Sequence, residues 1–327
     1  MTESGRKRFF KEIIGAIDSL KHKYDKDSGA YTKGSKFKLT DIKRAHGSGE
    51  AADLIAHQQG VFQCDGSQNY VITGSVKNNP SYFYLIKNGK GCKCNAGKDY
   101  WPIETTMTHP GGIQVAENIL AIGNEQYIYG QATTHGDRSN IRFFDIGNES
   151  SVFELNHLLI ERQGDGNIAS AVALTKNGEQ WVLAVRAKEG LDFYCLDGDI
   201  QNKKNKFSDV GHLDKKKYGL KDFQTIQLFP AAKPSSAEPN FYLFGMPEGS
   251  STTDKCWIYK VNFVFNKDGK ITHVSNAIEY TTIHFVRDGT GPRFKWGAGV
   301  RYTGDKFEVT SIAGHVVDDK IECNRWV

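Results

Sequence analysis

WVLAVRA (181–187), followed after a short Lys-Glu-Gly turn by LDFYCLD (191–197), sets the pattern by which the chain can be read. Both runs are short, rich in β-branched and aromatic residues, and bounded by turn residues, which is how a pair of neighbouring strands reads. The same order recurs on either side. YVITGSV from Tyr70 precedes YFYLI from Tyr82, and ILAIGNE from Ile119 precedes IRFFDI from Ile141. FYLFGMP from Phe241 precedes CWIYKVNF from Cys256, and KFEVTSI from Lys306 precedes IECNRWV from Ile321. The first members begin 49, 62, 60 and 65 residues apart.

A third set comes before each pair: GVFQ from Gly60, GGIQV from Gly111, NIASAVAL from Asn167, FQTIQLF from Phe223 and KWGAGVRY from Lys295. Gly and Ala are frequent there, as suits strands converging on a crowded axis. Three strands repeated five times, with room for a fourth, resemble the β-propeller architecture. The expected fold is therefore all-β, a five-bladed β-propeller, with a six-bladed propeller or a β-sandwich as the alternatives. The resemblance is to the architecture and carries no family's site residues. Outer strands are least regular; VFELNHLLIE from Val152 and IEYTTIHF from Ile278 are the clearest. The last repeat stops at Val327 without an outer strand, and FKLTDIKRA (37–45) is expected to supply it. That pairing would close the ring and remove an open sheet edge. The domain reading is a propeller over 37–327, closed by its N-terminal strand, preceded by a helical extension over 1–30.

Within that extension Phe9, Ile13, Ile17, Leu20 and Tyr24 recur at three- and four-residue intervals, the signature of an amphipathic helix. It is expected to pack on the outside or bottom of the propeller. The segment 201–221, QNKKNKFSDVGHLDKKKYGLK, is lysine-rich and is expected to be a solvated loop. Either segment could serve a protein partner.

The chain has 327 residues and a formal net charge of +4, a diffuse surplus that gives no footprint for nucleic acid. No apolar run is long enough for a membrane span or a signal-peptide core. The expected location is cytoplasmic, with secretion without a classical signal as the alternative. Of six cysteines, Cys195 and Cys256 lie in apolar runs and read as buried thiols. Cys92 and Cys94 sit in a Gly- and Lys-rich turn, and such a pair supplies only two metal ligands.

Two repeats open alike. His57-Gln58-Gln59-Gly60-Val61-Phe62-Gln63 is echoed by His109-Pro110-Gly111-Gly112-Ile113-Gln114. Entry to an inner strand lies near one mouth of the axis, so two neighbouring blades would present a histidine at equivalent places. Imidazole near neutral pH can bind a metal, move a proton or hold a polar ligand. The candidate ligand-binding set is His57, Gln63, His109, Gln114, Glu125, Arg186 and Trp296. Glu125 or His135 could complete a metal site with the histidines, but no cofactor or metal is assigned. Asp165, Asp197 and Asp199 sit in turns without an EF-hand pattern. Glu125 and Glu189 could act as paired carboxylates, and Trp101 and Trp296 could be ligand platforms. No nucleophile elbow, P-loop or HExxH motif is present. Three readings follow: a propeller binding a small polar molecule or glycan, an enzyme (hydrolase or lyase, possibly metal-dependent) with an asymmetric site near His57 and His109, or a protein-interaction scaffold.

Overall fold

Five antiparallel sheets, taken in chain order, hold the strands of the computed structural model. It describes residues 3–327 except 30, 43–55, 65–67, 77–80, 94–99, 105, 128–134, 165, 232–240, 248–252 and 289–290, with 3–12, 56–57, 76, 104, 127 and 135–137 described in backbone only. A helix, α1 (Glu3–Tyr24), and strand β1 (Ser35–Leu39) come first. The first blade is β2 (Ala56–Gln63), β3 (Tyr70–Val76) and β4 (Ser81–Lys87), with β5 (Lys90–Gly91) and β6 (Trp101–Glu104) both pairing β4. The second is β7 (His109–Ala116), β8 (Ile119–Tyr127) and β9 (His135–Asp145), edged by β10 (Phe153–Glu154) and β11 (Ile160–Gln163). The third is β12 (Val172–Asn177), β13 (Gln180–Ala187), β14 (Gly190–Asp197) and β15 (Ser208–Asp214). The fourth is β16 (Phe223–Pro230), β17 (Phe241–Pro247), β18 (Thr253–Phe265) and β19 (Ile271–Val286). The fifth is β20 (Arg293–Tyr302), β21 (Phe307–Ile312), β22 (Ile321–Trp326) and, from the other end of the chain, β1. The protein is a five-bladed β-propeller.

The middle strands read as continuous apolar runs because both of their faces are covered by neighbouring blades. All six residues of β21 are buried, and all but Arg186 in β13. Five apolar clusters fill the five junctions between blades. An aromatic pair crosses each junction: Phe83–Phe144, Phe143–Phe207, Phe193–Phe263, Phe229–Phe307 and Phe37–Tyr70, with ring centroids between 5.1 and 5.8 Å apart. Such pairs add about 0.5–1.5 kcal/mol each beyond the area they bury. Outer strands have one face in solvent and are correspondingly polar, which is why their sequence signal is weak. The segment expected as a solvated loop over 201–221 in fact supplies β15, which places only Val210 and Leu213 in the core.

β1 pairs antiparallel with β22, Phe37 opposite Cys323 and Leu39 opposite Ile321. The strand is shorter than the expected 37–45. At Thr40 the chain leaves it to bond the first blade, its N–H donating to the Gly89 carbonyl, and Asp41 then adopts a left-handed φ of 57°. Residues 43–45 lie outside the described residues. The apolar face of α1 covers the junction of the fourth and fifth blades: Ile13, Ala16, Ile17, Leu20 and Tyr24 are all buried against Phe285, Phe294 and Trp326. The Phe9 side chain lies outside the described residues.

Candidate active site at the entry mouth of the axis

The axis is not an open channel. A Cβ on Gly111 would stand 1.5 Å from the Ser170 carbonyl oxygen, and one on Gly112 would stand 2.7 Å from that of Gln224. Backbone therefore meets backbone at the centre, and only glycine permits it. Below this contact Gln114 reaches across to the fourth blade. Its Nε2 donates to the Leu228 carbonyl at 3.1 Å, and its Oε1 accepts the Leu228 N–H at 2.9 Å. Gln227 answers from the other side, donating to the Ile113 carbonyl and accepting the Val300 N–H. The two mouths are thus separate places.

Inner strands begin at one mouth, and four of the five are bulged there: β2 between Gln58 and Gly60, β7 between Pro110 and Ile113, β16 between Phe223 and Thr225, and β20 between Arg293 and Ala298. Bulges re-aim side chains and concentrate beside functional sites. At this mouth His109 faces Glu125 across the first and second strands of its blade. His109 Nδ1 lies 3.1 Å from Glu125 Oε1; the carboxylate is buried and the imidazole is 16 % exposed. A buried carboxylate on Nδ1 fixes the orientation of the ring. Next to Glu125, Asn124 donates to the Ser81 hydroxyl and to the Met107 carbonyl, locking the approach to His109.

On the adjoining arc Ser170 presses on Gly111, and Arg186 donates to the Ser170 hydroxyl and to Asp222. Lys215 donates to both Asp222 oxygens at 2.6 Å. Partial burial pushes the Asp222 carboxyl up, but Lys215 and Arg186 outweigh it and hold it below the ordinary value. From the fifth blade Trp296 stands half-buried, its ring 6.0 Å from that of His315 and under the Lys295 ammonium at 4.3 Å. Gly314 lies against the indole, where a Cβ would come within 2.7 Å. Gln58 Oε1, Ser75 Oγ, Thr225 Oγ1 and Ser311 Oγ are buried around the same end without a hydrogen-bond partner among the described residues. Buried polar atoms are costly unless water or a ligand satisfies them.

The candidate set therefore divides. His109, Glu125, Arg186 and Trp296 lie at the entry mouth, as does the backbone of His57, which pairs with Ser75; its side chain, like that of His135, lies outside the described residues, as does Asp165. Gln63 and Gln114 lie toward the opposite end, where both line another cavity. Trp101 is no platform: it is buried, stacked 5.7 Å from Phe83. Ser170, Asp222 and Thr225 had no local signal, being ordinary residues until the ring assembles them.

Two other polar groups are structural. Asp254 and Arg287 are both buried, 3.7 Å apart, between the fourth and fifth blades. Burial pushes the Asp254 carboxyl up to about 6, against the pull of Arg287 and the Phe294 N–H. Asp25, Asp27 and His284 bring three potential metal-ligating atoms within 4.8 Å at the rim of the fourth blade. There Asp25 Oδ1 accepts the His284 N–H at 2.9 Å, and His284 Nδ1 contacts Asp27 at 2.8 Å, so the cluster already serves to tie α1 to β19.

No family model and no curated protein matches the chain. Among solved structures it is similar to the GH43 endo-arabinanase from Bacillus licheniformis, at 11 % identity over 84 % of this chain and 94 % of that one, with a TM-score of 0.41. It is also similar to the major Malassezia sympodialis allergen Mala s 1, at 6 % identity over 88 % and 95 %, with a TM-score of 0.44. An exo-1,5-α-L-arabinanase from a bovine ruminal metagenomic library shows 9 % identity over 82 % and 92 %, with a TM-score of 0.43. The likeness is one of chain path around an axis. No helix of the described residues is long and apolar enough to cross a membrane.

Proposed function

We propose that this protein is an enzyme that acts on a small polar ligand or glycan held at the entry mouth. In this reading His109 moves the proton and Glu125 orients it. The single observation behind it is the His109–Glu125 pair: a buried carboxylate on Nδ1 of a partly exposed ring at the start of an inner strand. An imidazole so held can serve as general base or acid near neutral pH. Arg186 and the ionised Asp222 supply fixed charges beside it, and Trp296 supplies a half-buried aromatic face of the kind that stacks on a sugar ring. The reaction class that fits is proton-transfer chemistry, hydrolysis or elimination. The described part of the apolar face of α1, Ile13, Ala16, Ile17, Leu20 and Tyr24, is taken up by the protein's own core.

The test is turnover and binding across a panel of plant and microbial oligosaccharides. His109→Ala and Glu125→Gln should reduce turnover by about 10²–10⁴-fold, the usual contribution of a positioned proton-transfer group. Trp296→Ala should mainly weaken binding. Saturable binding of an oligosaccharide with no turnover would leave a binding protein and overturn the enzyme reading. Turnover indifferent to both His109 and Glu125 variants would overturn the site.

A further inference from the structure

At the far mouth, where the inner strands end, lies a cavity of about 800 Å3. The Gln114–Leu228 bonds separate it from the entry mouth. Its charges come from three blades. Arg301 comes from the fifth blade, Glu117 from the turn after β7 in the second, and Lys176 and Glu179 from the end of β12 and the turn after it in the third. In a ring of five, the second and third blades are the two that do not adjoin the fifth. Arg301 and Glu179 therefore come from blades that do not adjoin, with the buried rings of Phe62 and Phe229 in the cavity wall.

The occupancy of these charges points further. Glu308 meets Arg301 at Nη1, 3.3 Å away, and a guanidinium has five N–H donors, enough for a carboxylate to dock in addition. Lys176 takes Glu117 at 2.9 Å while lying over the Trp181 ring. Glu179 is exposed at the rim. The Lys176–Glu117 pair is self-neutralising, which leaves Arg301 and Glu179 as one charge of each sign for a ligand to meet. We propose that the far mouth binds a small zwitterion, a free amino acid or a short peptide, with its α-carboxylate on Arg301 and its ammonium toward Glu179. The cavity is in the size range of small-molecule sites. This site is independent of the chemistry at the entry mouth.

The experiment is titration calorimetry of the full chain with the common free L-amino acids and alanyl-alanine, with acetate and ethylammonium as half-ligands. Cys64, exposed in the lining and in no disulfide, gives a second readout through its rate of alkylation by iodoacetamide. A zwitterion should bind saturably and slow that alkylation, and both half-ligands should bind far more weakly. Arg301→Gln should weaken binding at least about tenfold, as loss of a charge-assisted pair does, and Glu179→Gln severalfold. Glu179 is exposed, so its variant tests the proposal even if Arg301→Gln perturbs the fifth blade. No saturable binding by any zwitterion, acetate binding as tightly as an amino acid, or indifference to Glu179→Gln would each overturn it.

Discussion

Gln114 and Leu228 hold each other across the propeller axis through both ends of one amide: Nε2 to the Leu228 carbonyl at 3.1 Å, and the Leu228 N–H to Oε1 at 2.9 Å. They belong to the second and fourth blades, which do not adjoin around the ring. This contact therefore ties the ring through its middle, where the junction clusters cannot reach.

Replacing Gln114 by Ala or by Met should cost about 2–6 kcal/mol. Both variants strand a buried N–H and a buried carbonyl, at about 1–3 kcal/mol each. Met keeps most of the volume and removes only the hydrogen bonds, so the two should fall close together in urea denaturation. Full recovery of stability in Gln114→Met would show that the residue matters for packing alone.

Gly111→Ala should fail to fold, or lose more than about 4 kcal/mol, because the atom 1.5 Å from its Cβ is a backbone oxygen that cannot move aside. Gly15 is the internal control. It lies in α1 with nothing within 4 Å of an added Cβ, so Gly15→Ala should gain up to about 1 kcal/mol from helix propensity. Circular dichroism melting of the two variants beside the parent decides both.

The two ends of the chain are sewn together. Tyr24 Oη donates to the Val327 carbonyl at 2.5 Å and accepts the Val327 N–H at 2.8 Å. Tyr24→Phe should lose about 1 kcal/mol. Deleting 1–30 should lose several, since it bares Phe285 and Trp326, at about 1.5–3 kcal/mol for each large side chain uncovered. Deleting 1–46 should in addition leave β22 as a bare edge and raise light scattering on heating. A 1–30 deletion that melts with the parent would contradict the packing of α1.

Asp254 gives the fold a pH dependence of unusual sign. Its folded carboxyl titrates at about 6, above the unfolded value, so its contribution is fully present below about pH 4 and is lost as pH rises through 6. A rise of about two units corresponds to roughly 3 kcal/mol. Asp254→Asn should remove this falling component from denaturation curves taken between pH 4 and 7. Identical pH slopes in parent and variant would show that the group titrates normally.

The strands that could be read from sequence are those with local causes. WVLAVRA is apolar throughout because both of its faces are covered, and Gly60, Gly111 and Ala171 are small because inner strands meet at the axis. Their repetition five times pointed to a five-bladed propeller, with a six-bladed one or a β-sandwich left as alternatives. Segments with one wet face carried too little pattern, so β15 passed for part of a charged loop on the strength of the lysines that flank it. For the site, His109 and Glu125 were legible as residue types at strand ends, and their pairing followed from one hairpin. Which mouth Gln63 and Gln114 belong to was not legible, because it depends on how far along the inner strand each lies and on what the ring brings opposite. The partner of Gln114 is 114 residues away in the chain, and the company of Arg186, Ser170 and Asp222 spans two blades. Apolar periodicity is a local property that the sequence itself encodes; contacts across a closed ring exist only once every blade has taken its place.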